Sequence, residues 1–228
     1  METRDVGRAT IVRCKGRLVA GGEVEALREH IAWLLRDRRN IILHLGEVVF
    51  IDSSGLGTMV RTLTSTRQVR GDLKLCEVPE HVRKVLQLSH LTKLFDSHDS
   101  EDNAVAAFYR GTVRPEQQVS AGKSVLVVER NTDVSTYLRE LLRREGYDVH
   151  TTNNMRDGLI LTRITRFDLV VTGPELSSSP VTEKSFREAC ALLPVVELGA
   201  DFSTSEAGAA TSALLDKIAA RLQAGSAN

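Results

Sequence analysis

Polar and apolar residues alternate along residues 1–110 in ways that predict both strands and helices. The segments ATIVRCKG (9–16) and RLVAG (17–21) predict two antiparallel edge strands. Apolar segments within 41–51 and at 73–78 predict further strands, and amphipathic stripes that begin near Glu23, Gly55, Pro79 and Glu101 predict helices. The resulting order ββαβαβαβα predicts a mixed sheet with helices packed against it.

Residues 124–228 show a plainer alternation of strands and helices. Short apolar segments predict strands at 125–128, 147–150, 167–171 and 194–198, and apolar stripes predict helices within 134–142, 159–164 and 214–222. This alternation predicts a parallel sheet with right-handed crossovers. We therefore expect an α/β chain of two small domains, residues 1–111 and 124–228, joined by a linker at 112–123 that contains Gly, Pro, Gln and Ser.

Composition and charge narrow the class of protein without indicating a function. Hydrophobic residues make up 42% and charged residues 26% of the 228 positions, as in an ordinary globular chain. The 30 basic residues balance the 30 acidic ones, so no global field favours nucleic acid or an anionic membrane as a partner. The N-terminus has no apolar signal core, and no apolar segment approaches the ~18 residues of a membrane span. Three widely spaced cysteines fit a reducing cytosol, so we expect a cytoplasmic protein.

No arrangement of residues in the sequence points to catalysis or to a bound cofactor. The six histidines and three cysteines lack the spacing of metal ligands, and no phosphate-binding glycine loop is present. We therefore expect no enzyme activity, no catalytic residues, no metal and no cofactor. Trp33 lies off the main apolar stripe of its helix, and we expect it to pack at the edge of the core.

The sharpest local signal is the segment DSSGLG (Asp52–Gly57) between a strand and a helix. An Asp or Ser before a helix satisfies free backbone N–H groups, so one interpretation is a helix cap with glycines for a tight turn. The other is a modification site, because a helix N-terminus accommodates a phosphate and leaves a hydroxyl exposed for transfer. Phosphorylation adds roughly −1.5 to −2 charges, which beside Asp52 would repel a docked partner. The residues alone leave both interpretations open.

The segment VVFIDSSGLG (Val48–Gly57) resembles the signature of STAS domains, which include the bacterial anti-sigma factor antagonists. The resemblance extends over roughly residues 8–110, through KGRLVAGG and LKLCEVPEHVRKVLQLSHLTKLF. It implies that Ser53 is phosphorylated by a partner kinase that is also the anti-sigma factor, and that phosphorylation releases this partner. It also implies a partner-binding surface that includes Asp52, Ser54, Gly55 and Gly57.

One departure from the family pattern concerns the expected partner. The early motif of the family often reads Gly, Glu, Leu, Asp, whereas this chain has Gly16-Arg17-Leu18-Val19. Arg17 therefore replaces the Glu, and Val19 replaces the acid that helps to form the partner-binding face. The resemblance leaves open whether the kinase differs or Ser53 is no longer its substrate.

Residues 124–222 resemble a response-regulator receiver through VLVVERNTDVSTYLRELLRREGYDV, RFDLVVTGPEL and PVVELGA. The residues that carry receiver chemistry are missing. The Mg²⁺-binding acid pair aligns with Glu129 and Arg130, the phosphoacceptor Asp with Gly173, and the switch Thr or Ser with Gly199. The resemblance therefore implies a phosphorylation-incompetent pseudo-receiver, with a truncated flavodoxin-like parallel sheet whose fifth strand is missing or reduced.

These observations lead to three hypotheses for the function. The first is a bacterial signalling protein in transcription regulation, which binds an anti-sigma factor or serine kinase and is switched by phosphorylation at Ser53. The second is a constitutive STAS scaffold in a stress-signalling complex, without a phosphoswitch. The third is a nucleotide-binding sensor. In each case we expect the pseudo-receiver to make protein contacts. It would act as a scaffold, form a homodimer or bind another partner.

Overall fold

A computed structural model describes residues 1–110, 122–174, 176, 178–199, 202 and 207–225. The chain divides into two compact units, Met1–Gly111 and Thr112–Asn228, which we call the N-terminal unit and the C-terminal unit. Of the predicted linker, only residues 122 and 123 lie within the described part of the chain, so the linker stays a prediction. Both units combine strands with helices, which confirms the predicted α/β class.

The N-terminal unit has a mixed sheet. Its described elements, in chain order, are β1 (Glu2–Val6), β2 (Ala9–Leu18), α1 (Gly22–Leu34), β3 (Asn40–Ile51), α2 (Ser53–Gln68), β4 (Leu73–Cys76), α3 (Glu80–Leu88), β5 (Asp96–His98) and α4 (Glu101–Arg110). The strands lie in the order β5-β4-β3-β2-β1. β1 is antiparallel to β2, and the other neighbouring pairs are parallel. The predicted mixed sheet is therefore confirmed.

The first two strands of the N-terminal unit differ from the prediction. Segment 9–16 and the first residues of segment 17–21 belong to one strand, β2, which pairs with β1 on one side and β3 on the other. The apparent break at Gly16 is a positive-φ position (φ 79°) beside register shifts between β2 and β3, and the strand continues through it. β1 leaves little trace in the sequence, because ETRDV contains a single apolar residue, Val6.

The core of the N-terminal unit fixes the end of β3 and hence the start of α2. Residues Ile41–Leu45 of β3 are all buried, so this strand is covered on both faces as predicted. The buried cluster joins the sheet to the apolar faces of α1, α2 and α3 through Leu27, Met59 and Val82. Each fully buried aliphatic side chain of this kind contributes about 1.5–3 kcal/mol. The start of α2 is therefore held by a packed core and not by local preference alone.

Trp33 does not pack at the edge of the core, so that expectation is wrong. Its side chain is 60% exposed and stacks against His30, with ring centroids 6.0 Å apart. The buried residues of α1 include Ile31. At 3.6 residues per turn, a position two residues further along lies on the opposite side of the helix.

The C-terminal unit contains parallel strand–helix units. Its described elements, in chain order, are β6 (Ser124–Val128), α5 (Thr132–Arg144), β7 (Asp148–Thr152), α6 (Met155–Ile164), β8 (Leu169–Thr172), α7 (Pro180–Ala189), β9 (Val195–Glu197) and α8 (Ala207–Gly225). The strands lie in the order β7-β6-β8-β9, and all of their pairings are parallel. The predicted parallel sheet of strand–helix units is confirmed. The described residues of this unit contain no fifth strand.

Helix α7 has no counterpart in the sequence prediction. Ser179 caps it by accepting a hydrogen bond from the backbone N–H of Thr182 (3.2 Å), and Pro180 stands at its start. A Ser-Pro pair is a known helix-start signal. However, Phe186 is the one buried residue of this helix, so its sequence shows no apolar stripe.

Candidate functional site

The segment Asp52–Gly57 is the turn from β3 into α2, and the carboxylate of Asp52 organises it. Oδ1 of Asp52 accepts hydrogen bonds from the backbone N–H groups of Ser54 (2.8 Å) and Gly55 (2.9 Å). Oδ2 accepts one from the backbone N–H of Ala20 (3.0 Å), just beyond β2. These hydrogen bonds hold the pKa of Asp52 below its ordinary value, and the bond from Ala20 contributes most, followed by that from Gly55. Asp52 is therefore an ionised cap that joins α2 to the end of β2.

Ser53 is the first residue of α2, and its side chain is exposed. Among the described residues its hydroxyl group has no hydrogen-bond partner, whereas the neighbouring Asp52 is fully engaged in capping. A hydroxyl group at the first helical position lies at the positive end of the helix dipole. The position is sterically open and suited to carrying an anion.

Gly55 and Gly57 play different structural parts in this segment. A Cβ atom at Gly55 would lie 2.3 Å from the backbone oxygen of Leu18 and 2.7 Å from Cγ1 of Ile51, so only glycine lets α2 approach β2 this closely. At Gly57 a Cβ atom would lie 3.6 Å from Nη1 of Arg61, an ordinary contact. Gly55 is therefore required by packing, whereas Gly57 lies on the accessible side of α2.

The accessible side of α2 carries a cation near the candidate serine. Ser53, Gly57 and Arg61 are spaced by four residues and so share one stripe of the helix. The guanidinium group of Arg61 donates to Oγ1 of Thr58 (3.0 Å), which directs it back toward the start of the helix. Gly57 lies between Ser53 and Arg61 on this stripe. Because it has no side chain, it does not block the guanidinium group of Arg61 from the first turn of α2.

An exposed apolar surface lies beside this turn, and the sequence analysis did not identify it. Val49 and Phe50 of β3 are 66% and 47% exposed. The guanidinium of Arg17 lies over the ring of Phe50, 5.1 Å from its centroid. β4 pairs with β3 only as far as His44, so within the described residues no strand pairs with the last part of β3 on that side. The signal in the sequence that could have indicated this surface is the difference in strand length, because β3 has 12 residues and β4 has 4.

Glu101 forms the centre of a second polar cluster, which the sequence also did not reveal. Its side chain is 4% exposed and accepts hydrogen bonds from Arg4 and from Nη2 of Arg13 (2.8 Å). Nε2 of His44 lies 3.7 Å from Oε1 of Glu101. Burial opposes ionisation, but the hydrogen bond from Arg13 and the charge of Arg4 outweigh it and lower the pKa of Glu101. The cluster ties α4 to β1, β2 and β3 and has a structural role.

In the C-terminal unit, the structure brings Glu129 and Gly173 together at the carboxyl ends of β6 and β8. Glu129 is 6% exposed, and its Oε1 accepts a hydrogen bond from the backbone N–H of Asn131 (2.7 Å). A Cβ atom at Gly173 would lie 1.9 Å from Oε2 of Glu129. The carboxylate of Glu129 thus occupies the space that any side chain at position 173 would need. Arg130 and Gly199 are both exposed, and no described contact joins them to this pair.

The remaining chemical groups offer little reactivity. Burial raises the pKa of the Cys14 and Cys76 thiols to about 12 and that of Cys190 to about 11, so all three stay protonated near neutral pH. Within the described residues, no three His, Cys, Asp or Glu side chains converge as a metal site would require. Over the same residues, every helix is too short or too polar to cross a membrane.

Comparison with known proteins assigns the N-terminal unit. The STAS domain family model matches residues 1–104. The proposed anti-sigma factor antagonist BtrV of Bordetella bronchiseptica is 32% identical over 107 residues, which cover 46% of this chain and 92% of BtrV. The chain belongs to the STAS domain family. An anti-sigma F factor antagonist of Paenibacillus polymyxa is 34% identical over 70 residues, covering 31% of this chain and 60% of that protein.

Solved structures match the same half of the chain. The anti-sigma factor antagonist SpoIIAA in its unphosphorylated form is 28% identical, covering 49% of this chain and 97% of that one, with a TM-score of 0.43. The STAS match ends at residue 104. The family model and the relative BtrV confirm the STAS assignment of the N-terminal unit, whereas the receiver resemblance of the C-terminal unit stays a prediction.

Proposed function

We propose that this chain is a bacterial signalling protein whose STAS unit binds an anti-sigma factor with serine kinase activity and releases it when Ser53 is phosphorylated. The observation that carries the proposal is the position of Ser53, an exposed hydroxyl at the first residue of α2 beside an ionised cap. The relatives that are named as anti-sigma factor antagonists support the choice of partner.

The local chemistry explains how phosphorylation acts on binding and leaves the fold intact. A phosphate on Ser53 lies at the positive end of α2, where the helix dipole favours an anion. It also adds roughly −1.5 to −2 charges next to the carboxylate of Asp52. A partner that covers this surface must desolvate both anions, whereas the uncovered protein keeps them in water. The phosphate therefore disfavours the complex far more than it disfavours the folded chain.

The surface offered to the partner consists of two parts. Asp52, Ser54 and Gly57 form the turn and the accessible start of α2, while Gly55 contributes by seating the helix against β2. Val49 and Phe50 extend this surface with apolar area. Because Arg17 and Val19 stand where the family often has acids, we propose that the partner presents an apolar or acidic contact to these two positions.

For the C-terminal unit we propose a pseudo-receiver role in protein contacts. Gly173 supplies no nucleophile for a phosphoryl group, and the carboxylate of Glu129 fills the adjoining space. An alternative is a constitutive scaffold, without a phosphoswitch at Ser53. The loss of an acid at Val19 and the filled pocket at Gly173 favour that alternative.

The test separates the switch from the scaffold. The full chain, Ser53→Ala, Ser53→Asp and the control Ser54→Ala are each titrated with the purified anti-sigma kinase encoded in the same genome, by calorimetry. The proposal expects Ser53→Ala and Ser54→Ala to bind like the unmodified chain, and Ser53→Asp to bind about tenfold more weakly or worse. Equal binding by Ser53→Ala and Ser53→Asp favours the scaffold.

A further inference from the structure

Within the described residues, the backbone of β9 pairs with a strand on one side only, that of β8. The carbonyl of Pro194 accepts from Val170 (2.9 Å) and the N–H of Leu198 donates to Thr172 (2.8 Å), so these groups point toward β8. By the parallel ladder, the N–H and C=O groups of Val195 and Glu197 point the other way. Within the described residues, no hydrogen bond reaches these outward groups. β9 therefore presents a short open sheet edge.

A groove runs along this open edge. It has a volume of about 770 Å³ and is lined by Val195, Val196, Glu197, Lys217, Ala220 and Arg221. Leu214, Ile218 and Leu222 hold α8 in the core of the unit. The helical spacing then places Lys217, Ala220 and Arg221 together on the side of α8 that faces the groove. One wall of the groove is thus a strand edge, and the other is a basic helix face.

The charges around the groove indicate what fits it. Lys217 and Arg221 are exposed, and neither forms an ion pair with a described residue. Glu197 is the one acidic residue that lines the groove, so the charged side chains along it carry a net positive charge. The small side chain of Ala220 between them leaves room for a chain to lie close to the helix. A second copy of the same edge would bring the same net positive charge to this groove, which disfavours self-pairing. An acidic segment brings the opposite charge to both cations.

We propose that the C-terminal unit binds an extended acidic segment of a partner protein, which pairs with β9 as an added strand. Backbone hydrogen bonds to Val195 and Glu197 supply affinity, and contacts of acidic side chains with Lys217 and Arg221 supply specificity. This binding is independent of Ser53, so it stands whether or not the STAS unit is a phosphoswitch.

The probe is a fluorescent peptide with alternating Glu and Val, acetyl-EVEVEVE-amide, titrated with the full chain and followed by anisotropy. Glu197→Pro removes one outward N–H group, at a position where an edge strand tolerates proline. Glu197→Gln is the matched control, because it keeps that N–H group and removes only the side-chain charge. The double variant Lys217→Glu/Arg221→Glu reverses the charge of the helix wall.

The proposal expects the chain and Glu197→Gln to bind the peptide, and the proline and charge-reversal variants to bind it about tenfold more weakly or worse. It also expects hydrogen exchange at Val195 and Glu197 to slow in the complex. The proposal is wrong if the peptide does not bind, if acetyl-KVKVKVK-amide binds equally well, or if Glu197→Pro binds like Glu197→Gln. A dimer of the free chain that Glu197→Pro dissociates would identify a second copy as the occupant and would also overturn it.

Discussion

Two carboxylates occupy equivalent places in the two units, and their environments differ in an instructive way. Asp52 follows β3 and precedes α2, while Glu129 follows β6 and lies shortly before α5. Asp52 caps its helix from a solvent-accessible turn and leaves the hydroxyl of Ser53 exposed. Glu129 turns inward, accepts the N–H of Asn131 and fills the space beside Gly173.

The difference shows how one architecture can keep or lose a modifiable site. Both carboxylate oxygens of Asp52 accept backbone N–H groups, those of Ser54 and Gly55 in α2 and that of Ala20 beyond β2, so the side chain of Ser53 remains available. The longer side chain of Glu129 folds back over the end of the neighbouring strand β8, where Gly173 leaves space for its carboxylate. We therefore regard the Ser53 turn as an open site and the Glu129–Gly173 pair as a closed one.

The largest expected effect concerns a third carboxylate, which is buried like Glu129 but paired with cations. Glu101→Gln removes the charge that Arg4 and Arg13 contact, and we expect a loss of about 1.5–3 kcal/mol in the free energy of unfolding. Because the folded pKa of Glu101 is lowered, its contribution is present above about pH 4.5 and is lost as the pH falls further. The free energy of unfolding of the N-terminal unit should therefore fall less with decreasing pH in the variant than in the unmodified chain.

Urea unfolding at pH 7 and pH 4 measures the free energy of unfolding and tests this prediction. Hydrogen exchange distinguishes the N-terminal unit from the C-terminal unit. Glu80→Gln is the control, because Glu80 is exposed and has no ion pair with a described residue. If lowering the pH reduced the free energy of unfolding equally in the unmodified chain and in Glu101→Gln, the stabilising role of the ionised Glu101 would be contradicted.

The next effect tests the packing that keeps the Ser53 site in place. Gly55→Ala puts a methyl group 2.3 Å from the backbone oxygen of Leu18, and we expect a destabilisation of about 1–3 kcal/mol. Gly57→Ala meets only the flexible end of Arg61, and a helix favours alanine over glycine by up to about 1 kcal/mol. Thermal unfolding of both variants measures the difference. Similar stabilities for the two alanine variants would show that α2 does not depend on its approach to β2.

A smaller effect tests the closed site. Gly173→Ala displaces the carboxylate of Glu129, which is the end of a flexible side chain, so we expect a cost of about 1 kcal/mol. In a Glu129→Ala background the same substitution should cost less, because the space is then empty. Hydrogen exchange in β6 and β8 across this double-mutant cycle gives the coupling. Additive effects would mean that the two positions do not compete for the same space.

The smallest expected effect tests the role of Asp52 in the open site. Asp52→Asn keeps an oxygen that can cap α2, removes the charge beside Ser53, and replaces the oxygen that accepts from the N–H of Ala20 with an amide group. We expect the phosphorylated variant to regain partner affinity by about fivefold or less, as for an exposed charge pair. The unphosphorylated variant should bind like the unmodified chain. Calorimetry on both phosphorylation states measures the change, and an unchanged release on phosphorylation would mean that Asp52 acts only as a cap.

The sequence predicted those features that depend on local pattern. The cap at Asp52, the apolar run in β3 and the parallel strand–helix units follow from short-range spacing, and the structure shows each of them. β1 and α7 were not predicted, because ETRDV has one apolar residue and α7 buries one side chain. Both elements are fixed by their neighbours in space and not by their own periodicity.

The parts of the sites that the sequence did not predict depend on contacts between distant residues. The Glu101 cluster joins positions that are 88 and 97 residues apart. Phe50 is exposed in the structure, and its cross-strand neighbour Arg17 lies over its ring, which the residue type of Phe50 does not reveal. Glu129 and Gly173 were both identified by alignment with a receiver, but the filling of one position by the side chain of the other depends on a side-chain conformation.

The central claim is that Ser53 is a regulated phosphorylation site, and phosphopeptide mass spectrometry tests it most directly. The protein is isolated from its own cells with and without stress, and the occupancy of Ser53 is compared with that of the adjacent, half-buried Ser54. The account predicts phosphate on Ser53, at a level that changes with conditions, and none on Ser54. With full coverage of the peptide, an unmodified Ser53 under every condition would contradict the phosphoswitch and favour a constitutive STAS scaffold.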